Sequence, residues 1–143
     1  MIITDNIIKI IISILLAYLI SQTSKSIINY KRTKKWDWIS FVFENGGMPS
    51  SHTSTTVALT ASLLFETGIS YYFIISFLFT MIVMNDAMKV RRETGEEATI
   101  LNIVMEKEKI LHKRLTERIG HTPLQVTMGV FVGILSAFIV YII

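Results

Sequence analysis

The stretch ISYYFIISFLFTMIVM, residues 69–84, contains no charged side chain and decides the fold class. A helix needs about 20 mostly apolar residues to cross the hydrocarbon core of a bilayer, and this stretch approaches that length. Of all 143 residues, 51% are hydrophobic and only 17% are charged, which is too apolar for an ordinary soluble domain of this size. The sequence therefore predicts a single integral membrane domain that covers residues 1–143.

Three more segments have the composition of membrane helices. The run Ile7–Ile20 is apolar except for Lys9, and milder residues extend it towards Lys25. A second helix is expected to start near Ser50, and its many hydroxyl side chains suit packing against other helices. The last span runs from about residue 122 to residue 143. Together these patterns predict an all-α bundle of about four transmembrane helices with additional interfacial helices.

Two connecting segments mix charged and apolar residues. Residues 25–47 combine cations with two Trp and two Phe residues, which is typical of a connector at the lipid headgroups. Gly95 is expected to break the helical pattern after the third span, and apolar residues then recur at roughly helical spacing over residues 98–120. This second segment is predicted to form a helix that lies on the membrane or against the domain.

The cations are distributed asymmetrically along the four predicted spans. The ends of spans one and three and the starts of spans two and four share one side, which carries 13 of the 14 Lys and Arg residues. The positive-inside rule makes this side cytoplasmic and puts both termini outside, as expected for a protein of the plasma (inner) membrane. A net charge of +3 without a soluble basic face does not indicate nucleic acid binding. Any single cation could serve only to set topology and bind anionic headgroups.

Metal and thiol chemistry are not expected. The chain has no cysteine, which excludes disulfides, thiolate zinc sites and cysteine nucleophiles. Asp86 precedes Arg91 and Arg92, but the second pair of aspartates that a dinuclear magnesium site needs is lacking. We therefore predict no metal and no other cofactor. Near membrane depth Asp86 is expected to meet a cation such as Arg91, Arg92 or Lys25, as a structural pair or as support for phosphate binding.

Two histidines stand at predicted helix entrances on the same side. His52, in GGMPSSHT at residues 46–53, starts the second helix, where free backbone N–H groups and the helix dipole favour an anion. His121, in RIGHTPLQV at residues 118–126, precedes the last helix. Phosphate-ester hydrolysis through a covalent intermediate needs a nucleophile, an acid for the leaving oxygen, and cations for the phosphoryl oxygens. Two histidines and a basic cluster can provide all three, although a lone histidine at a helix start is more often an ordinary surface residue.

Three blocks together resemble a known family. GGMPSSHT, DAMKVRRETGEEATILN and GHTPLQV follow the order and spacing of the signature blocks of the divergent branch of the type-2 phosphatidic acid phosphatases, which are related to vanadium haloperoxidases. The resemblance covers nearly the whole chain. Each block alone is weak, and their combination is specific.

The broader superfamily carries the motifs Lys-x6-Arg-Pro, Pro-Ser-Gly-His and Ser-Arg-x5-His-x3-Asp. The residues that match the first two are Lys25, Arg32, Pro49, Ser50 and His52. Thr33 replaces the proline of the first motif and Ser51 the glycine of the second. The resemblance implies that His52 protonates the leaving group. The phosphate-binding residues expected from these motifs and from the basic cluster are Lys25, Arg32, Ser50, Ser51, Arg91 and Arg92.

The third motif is only partly present. His121 matches its histidine, which in the superfamily attacks phosphorus and becomes phosphohistidine. Leu115 stands where its arginine would be, and Gln125 stands in place of the carboxylate that orients the histidine. Gln125 can accept from an imidazole N–H but cannot stabilise imidazolium as a carboxylate does. Glu117 is the candidate substitute, provided that a helix continues through Gly120.

The leading hypothesis is a metal-independent phosphomonoesterase that acts on a membrane lipid such as phosphatidylglycerol phosphate or phosphatidic acid. A rival hypothesis is a non-catalytic membrane protein that binds anionic lipid or a protein partner on the same scaffold, which the incomplete third motif favours. A small transporter has less support, because the polar groups gather at one face and do not line a midplane path. Four spans make a thin bundle, so a homodimer is also compatible with the sequence.

Overall fold

The computed structural model describes residues 2–34, 47–117 and 119–143. Within these ranges the chain is helical and contains no strand, which confirms the predicted all-α class. The five helices are α1 (Ile2–Thr33), α2 (Ser51–Thr67), α3 (Tyr71–Met88), α4 (Val90–Lys107) and α5 (Pro123–Ile142).

Helix α1 is longer than the predicted first span. It has 32 residues and ends at Thr33, so the first part of the predicted interfacial connector is helical. The helix continues because residues 25–33 contain neither glycine nor proline to interrupt it. The aromatic residues of that connector lie outside the described residues; they are Trp36, Trp38, Phe41 and Phe43.

Helix α2 lies at the centre of the bundle and packs against α1, α3 and α5. It starts where the sequence predicts, since the Ser50 hydroxyl accepts from the backbone N–H of Thr53 at the N-cap. It ends before Gly68, which has a φ of 62°. Its hydroxyl groups reach neighbouring helices, as in the 2.7 Å hydrogen bond between Ser54 and Ser21. Polar side chains that bond across helices suit a helix enclosed by others in a membrane.

Two glycines bring α5 against α2. A Cβ at Gly129 would lie 2.7 Å from the carbonyl oxygen of Ser50, and one at Gly133 would lie 2.6 Å from that of Ser54. Even alanine at these positions would collide with the backbone of α2. This Gly-x-x-x-Gly spacing is a known device for close helix approach in membranes, and the sequence analysis did not use it.

The helix ends gather as the four-span prediction requires. The end of α1 meets the start of α2 where Lys25 contacts Ser51. The end of α3 meets the residues before α5, where the backbone N–H of His121 donates to the carbonyl of Ala87 at 2.9 Å. We call this end of the bundle the site face.

The opposite end of the bundle carries aromatic contacts. The rings of Phe65 and Tyr141 lie 5.3 Å apart, and the Lys9 ammonium lies 5.5 Å from the Tyr141 ring centroid. Tyr71 and Tyr72 are exposed at the start of α3, as expected at a membrane–water boundary. Helices α1 and α3 therefore run in one direction, and α2 and α5 run in the other.

Three segments among the described residues are long and apolar enough to cross a membrane; the first lies in α1, the second covers α3 and α4, and the third is α5. They support an integral membrane protein. Helix α2 has 17 residues, about 26 Å of helix, and is richer in hydroxyl groups. A fourth crossing by α2 stays a prediction that rests on its position between the two ends of the bundle.

The segment after α3 differs from the prediction at Gly95 and in its second half. Gly95 does not break a helix but lies inside α4, where its missing Cβ lets the carbonyl oxygens of Glu117 and Ile119 approach. A Cβ at Gly95 would lie 2.7 Å and 2.9 Å from these oxygens. The predicted helix over residues 98–120 is wrong in its second half, since α4 ends at Lys107. The glycine is required by tertiary packing, which a local pattern does not reveal.

Candidate functional site

Lys25 is the most enclosed cation described at the site face. Its side chain is only 4% exposed, and its ammonium donates to the Ser51 hydroxyl at 3.1 Å. Gly47 packs beside the aliphatic stem of this lysine. Desolvating an ammonium costs free energy that must be compensated by polar or anionic groups. The position therefore suits a bound anion.

The start of α2 is fastened to the start of α5. The Ser50 hydroxyl accepts from the Thr53 hydroxyl at 3.0 Å, and the Ser50 backbone N–H donates to the carbonyl of Gln125 at 3.1 Å. The free N–H groups of the first turn of α2 lie at the site face, where the helix dipole favours negative charge. His52 is the second residue of this turn and is exposed.

His121 is buried between α3 and α5, with 3% exposure. Its backbone is held by Ala87, whose carbonyl becomes available where α3 ends and α4 begins. The preceding Gly120 has a φ of 86°, and a Cβ there would lie 2.5 Å from the backbone nitrogen of Arg92. Only glycine fits this close crossing in a left-handed conformation. The chain path thus fixes where the His121 ring enters the site.

Gln125 orients the imidazole ring. Its side-chain oxygen accepts from the Thr122 backbone N–H at 3.0 Å, within a capping box that starts α5. The same oxygen lies 3.2 Å from Nδ1 of His121. The Thr122 N–H can only donate, so the atom of the Gln125 amide that it contacts is the oxygen and not the nitrogen. Because this same oxygen also faces Nδ1 of His121 and can only accept, Nδ1 carries the proton. The lone pair of a neutral His121 is then on Nε2.

The surroundings of His121 favour its neutral form. Burial is the main effect that lowers the pKa of His121, and the charges of Lys25 and His52 act in the same direction. Hydrogen bonds to Gln125 and to the backbone of Gly47 act against these effects by stabilising the protonated ring. The net direction is a lowered pKa. A neutral imidazole is the form that can act as a nucleophile.

The other histidine belongs to the same electrostatic cluster. Partial burial lowers the pKa of His52, and the charges of Arg91 and Lys25 act in the same direction, whereas the charge of Asp86 raises it. The charge of His52 in turn lowers the pKa of His121. The two histidines, predicted to share one face from 69 residues apart in sequence, are therefore brought close enough to influence each other. The cluster combines two imidazoles with an excess of positive charge.

Of the predicted arginines, Arg91 is the one whose charge acts on His52. The Arg91 guanidinium pairs with Asp86, as the sequence analysis expected, and both side chains are partly exposed. Arg92 lies 3.2 Å from Glu96 in an exposed ion pair. Arg32 is exposed two turns beyond Lys25 on α1. Exposed pairs are weak, so these arginines can turn to another anion at small cost.

Glu117 does not stand where the sequence analysis needed it. None of the described residues between Lys107 and Thr122 is helical, so Glu117 is not one helical turn before His121. Its carboxylate instead accepts from Asn102 at 2.8 Å and from Arg114 at 2.9 Å. Gln125 occupies the orienting position that Glu117 was expected to fill.

Two supporting groups were missed by the sequence analysis. Thr122 fixes the amide of Gln125, and Ala87 holds the His121 backbone. The first had a readable signal, since Thr122-Pro123-x-Gln125 has the spacing of a capping box. The second had none, because any residue can supply a backbone carbonyl.

Comparison with known proteins places these features in context. The sequence model of the Divergent PAP2 family matches residues 7–136. The uncharacterized membrane protein YuiD of Bacillus subtilis (strain 168) is 36% identical over 147 residues, which cover 90% of this chain and 91% of that protein. No solved structure matches this chain.

Proposed function

Because the chain belongs to the Divergent PAP2 family, we propose that it is a membrane lipid-phosphate phosphatase that hydrolyses a phosphomonoester through a phosphohistidine intermediate. One observation carries this proposal. His121 is buried, and its surroundings favour the neutral ring. It lies in one electrostatic cluster with the buried ammonium of Lys25 and with a second histidine, His52. A nucleophile, a cation and a proton donor then surround one space at the membrane boundary.

Phosphate binding is assigned to the start of α2 and the cations around it. Lys25 supplies a fixed positive charge, and the Ser51 hydroxyl that it contacts supplies a neutral donor. The first backbone N–H groups of α2 add donors aligned with the helix dipole. Arg32, Arg91 and Arg92 complete the site from the rim, where guanidinium groups suit bidentate contact with phosphoryl oxygens. Asp86 pairs with Arg91 when no phosphate is bound.

The first chemical step is attack on phosphorus. The Nε2 lone pair of His121 forms a P–N bond while the P–O bond to the lipid breaks. His52 in its protonated form transfers its proton to the departing oxygen, so this oxygen leaves as a hydroxyl group of the lipid. Gln125 keeps the proton on Nδ1 of His121, which holds the reactive nitrogen in position. The phosphoryl group remains on His121.

The second step returns the enzyme to its starting state. His52, now neutral, accepts a proton from a water molecule as the water oxygen attacks phosphorus. The P–N bond breaks, inorganic phosphate leaves, and His121 regains its lone pair. No atom of the chain is consumed, and the proton given in the first step is recovered in the second.

The substrate proposed is a lipid with a terminal phosphomonoester, of the phosphatidic acid or phosphatidylglycerol phosphate type. In the predicted alternation of four spans, 13 of the 14 Lys and Arg residues fall on the side that holds the site, which favours a site on the cytoplasmic leaflet of the plasma membrane. A lipid phosphate in that leaflet would present its headgroup directly to Lys25.

A non-catalytic lipid-binding protein is the second candidate. The replacements at Leu115 and Gln125 favour it, because a site without the usual arginine and carboxylate loses transition-state stabilisation. Such a protein would bind lipid phosphates without turnover.

The test is phosphate release by the purified protein in liposomes from a panel of lipid phosphates, with and without EDTA. We expect release from a phosphomonoester lipid that survives chelation and is lost in His121→Ala. Strict metal dependence would overturn the histidine mechanism. Tight binding of the same lipids without release would favour the second candidate.

A further inference from the structure

One face of α4 is buried by non-helical chain. The buried residues of this helix are Gly95, Ala98 and Asn102, and their spacing of three and four positions puts them on one face. Among the helices that the structure describes, α4 packs only against α3. Residues 115–117 and 119–120 lie against Gly95 and Asn102, and we call these residues the returning chain.

The returning chain leads along α4 to His121. Its first residue, Leu115, bonds to Asn102 in the second half of α4, and its last residue, Gly120, lies against the backbone of Arg92 near the start of α4. His121 follows directly. The backbone of His121 therefore enters the site along a path that α4 supports.

Asn102 fastens the start of the returning chain with three hydrogen bonds. Its amide nitrogen donates to the Leu115 carbonyl at 2.9 Å and to the Glu117 carboxylate at 2.8 Å, and its amide oxygen accepts from the Leu115 N–H at 2.9 Å. A non-helical backbone needs partners from elsewhere for its N–H and C=O groups. The Asn102 side chain is 6% exposed and offers the donor and the acceptor of a peptide group. It thus holds the returning chain as a neighbouring strand would.

The other end of α4 belongs to the phosphate site. Arg91 is the second residue of α4, and its charge acts on His52. Asn102 therefore ties the chain before His121 to the same helix that carries Arg91. Where the nucleophile stands relative to this arginine depends on how the returning chain is attached to α4.

We propose that Asn102 is a positioning residue for His121, on which it acts through the returning chain and not by contact. The attachment holds the His121 ring where Gln125 faces Nδ1 and where Nε2 meets the bound phosphate. The effect of Asn102 on turnover rests on the proposed function. Its effect on the burial of the His121 ring does not.

Chemical modification of the histidines tests the attachment without turnover. The purified full chain in detergent is treated with diethyl pyrocarbonate, and the modification of each histidine is measured by mass spectrometry. Because His121 is 3% exposed, it should react slowly in the wild type, and the exposed His112 serves as the internal standard. Asn102→Ala removes all three hydrogen bonds and should accelerate the reaction of His121 at least several-fold. The matched control Glu97→Ala, at an exposed position of the same helix, should leave this reaction rate unchanged.

A second variant keeps the test decisive if Asn102→Ala does not fold. Asn102→Asp preserves the volume of the side chain but loses both donated hydrogen bonds and places a carboxylate against that of Glu117. It should also accelerate the modification of His121. Adding Glu117→Gln supplies an amide that can donate to the new carboxylate, so the double variant should regain part of the protection. Protection of His121 in Asn102→Asp equal to that in the wild type would overturn the proposal.

Turnover provides the second measurement. We expect the kcat of Asn102→Ala to fall about 10- to 100-fold, because a misplacement of about 1 Å can cost ~10²-fold in rate. The change in KM should be smaller, since Lys25 and Ser51 lie on helices that α4 does not contact among the described residues. An unchanged kcat in a folded Asn102 variant would overturn the positioning role. Absence of turnover in the wild type, with faster modification of His121 in Asn102→Ala, would refute the phosphatase function and support the attachment.

Discussion

Replacing Lys25 by methionine tests whether the buried ammonium binds the phosphate of the substrate. The ammonium is enclosed and contacts Ser51 at 3.1 Å, so its loss removes one charge-assisted contact to the bound phosphate. Such contacts contribute about 1.5–3 kcal/mol, which corresponds to a loss of about 10- to 150-fold in kcat/KM. Methionine fills a similar volume without an ammonium group, so the bundle can still pack around it. We therefore expect kcat/KM to fall by this amount in a protein that still unfolds cooperatively.

The assay is phosphate release from liposomes that contain a lipid phosphate, together with thermal unfolding in detergent. Lys31→Met is the matched control, because Lys31 lies on the same helix but is exposed. It should retain normal kcat/KM. Normal turnover in Lys25→Met, or an equal loss in both variants, would refute the assignment of Lys25 to phosphate binding.

Four further predictions concern the packing of the bundle, its orientation and the protonation of His121. Gly129→Leu should destabilise the protein by at least about 1–3 kcal/mol, because a Cβ would lie 2.7 Å from the backbone of α2; an unchanged thermal midpoint would contradict the packing. Single cysteines at Lys34 and Thr67 should react with a membrane-impermeant reagent from opposite sides of the bilayer, and labelling from one side would contradict the four-span arrangement. Since the pKa of His121 is lowered from 6.5, turnover should persist somewhat below that pH and be lost as the ring is protonated at lower pH. Gln125→Glu should raise the pKa of His121 and move the acidic limb of the pH–rate profile to higher pH. An acidic limb at the same pH as in the wild type would contradict the contact between Gln125 and the His121 ring.

Local sequence signals predicted the features that depend on neighbouring residues. The start of α2 was predicted from the capping residue Ser50, and the start of α5 from the apolar run that begins near residue 122. The meeting of Lys25 with the starts of these helices followed from alternating spans, which bring distant residues to one end of a bundle. The order of the spans along the chain was therefore enough to predict that Lys25, His52 and His121 share one end of the bundle.

Other features depend on contacts between distant segments. Gly95 resembles a helix breaker in sequence, yet it is kept inside α4 because the returning chain needs the space of a missing side chain. Glu117 had helical spacing from His121, but the helix ended early and the carboxylate contacts Asn102 instead. Gly129 and Gly133 form a Gly-x-x-x-Gly spacing, from which the close approach of α5 to another helix could have been predicted. These outcomes depend on tertiary packing, which local periodicity does not encode.

The most direct test of the phosphohistidine mechanism is detection of the phosphorylated protein itself. The wild-type protein is incubated with a radiolabelled lipid phosphate, quenched under alkaline conditions, and examined for label that is stable to base and released by acid. We expect such label on the wild type and none on His121→Ala. Acid-labile label that persists in His121→Ala, or rapid turnover by the wild type without any trapped label, would contradict the assignment of His121 as the nucleophile.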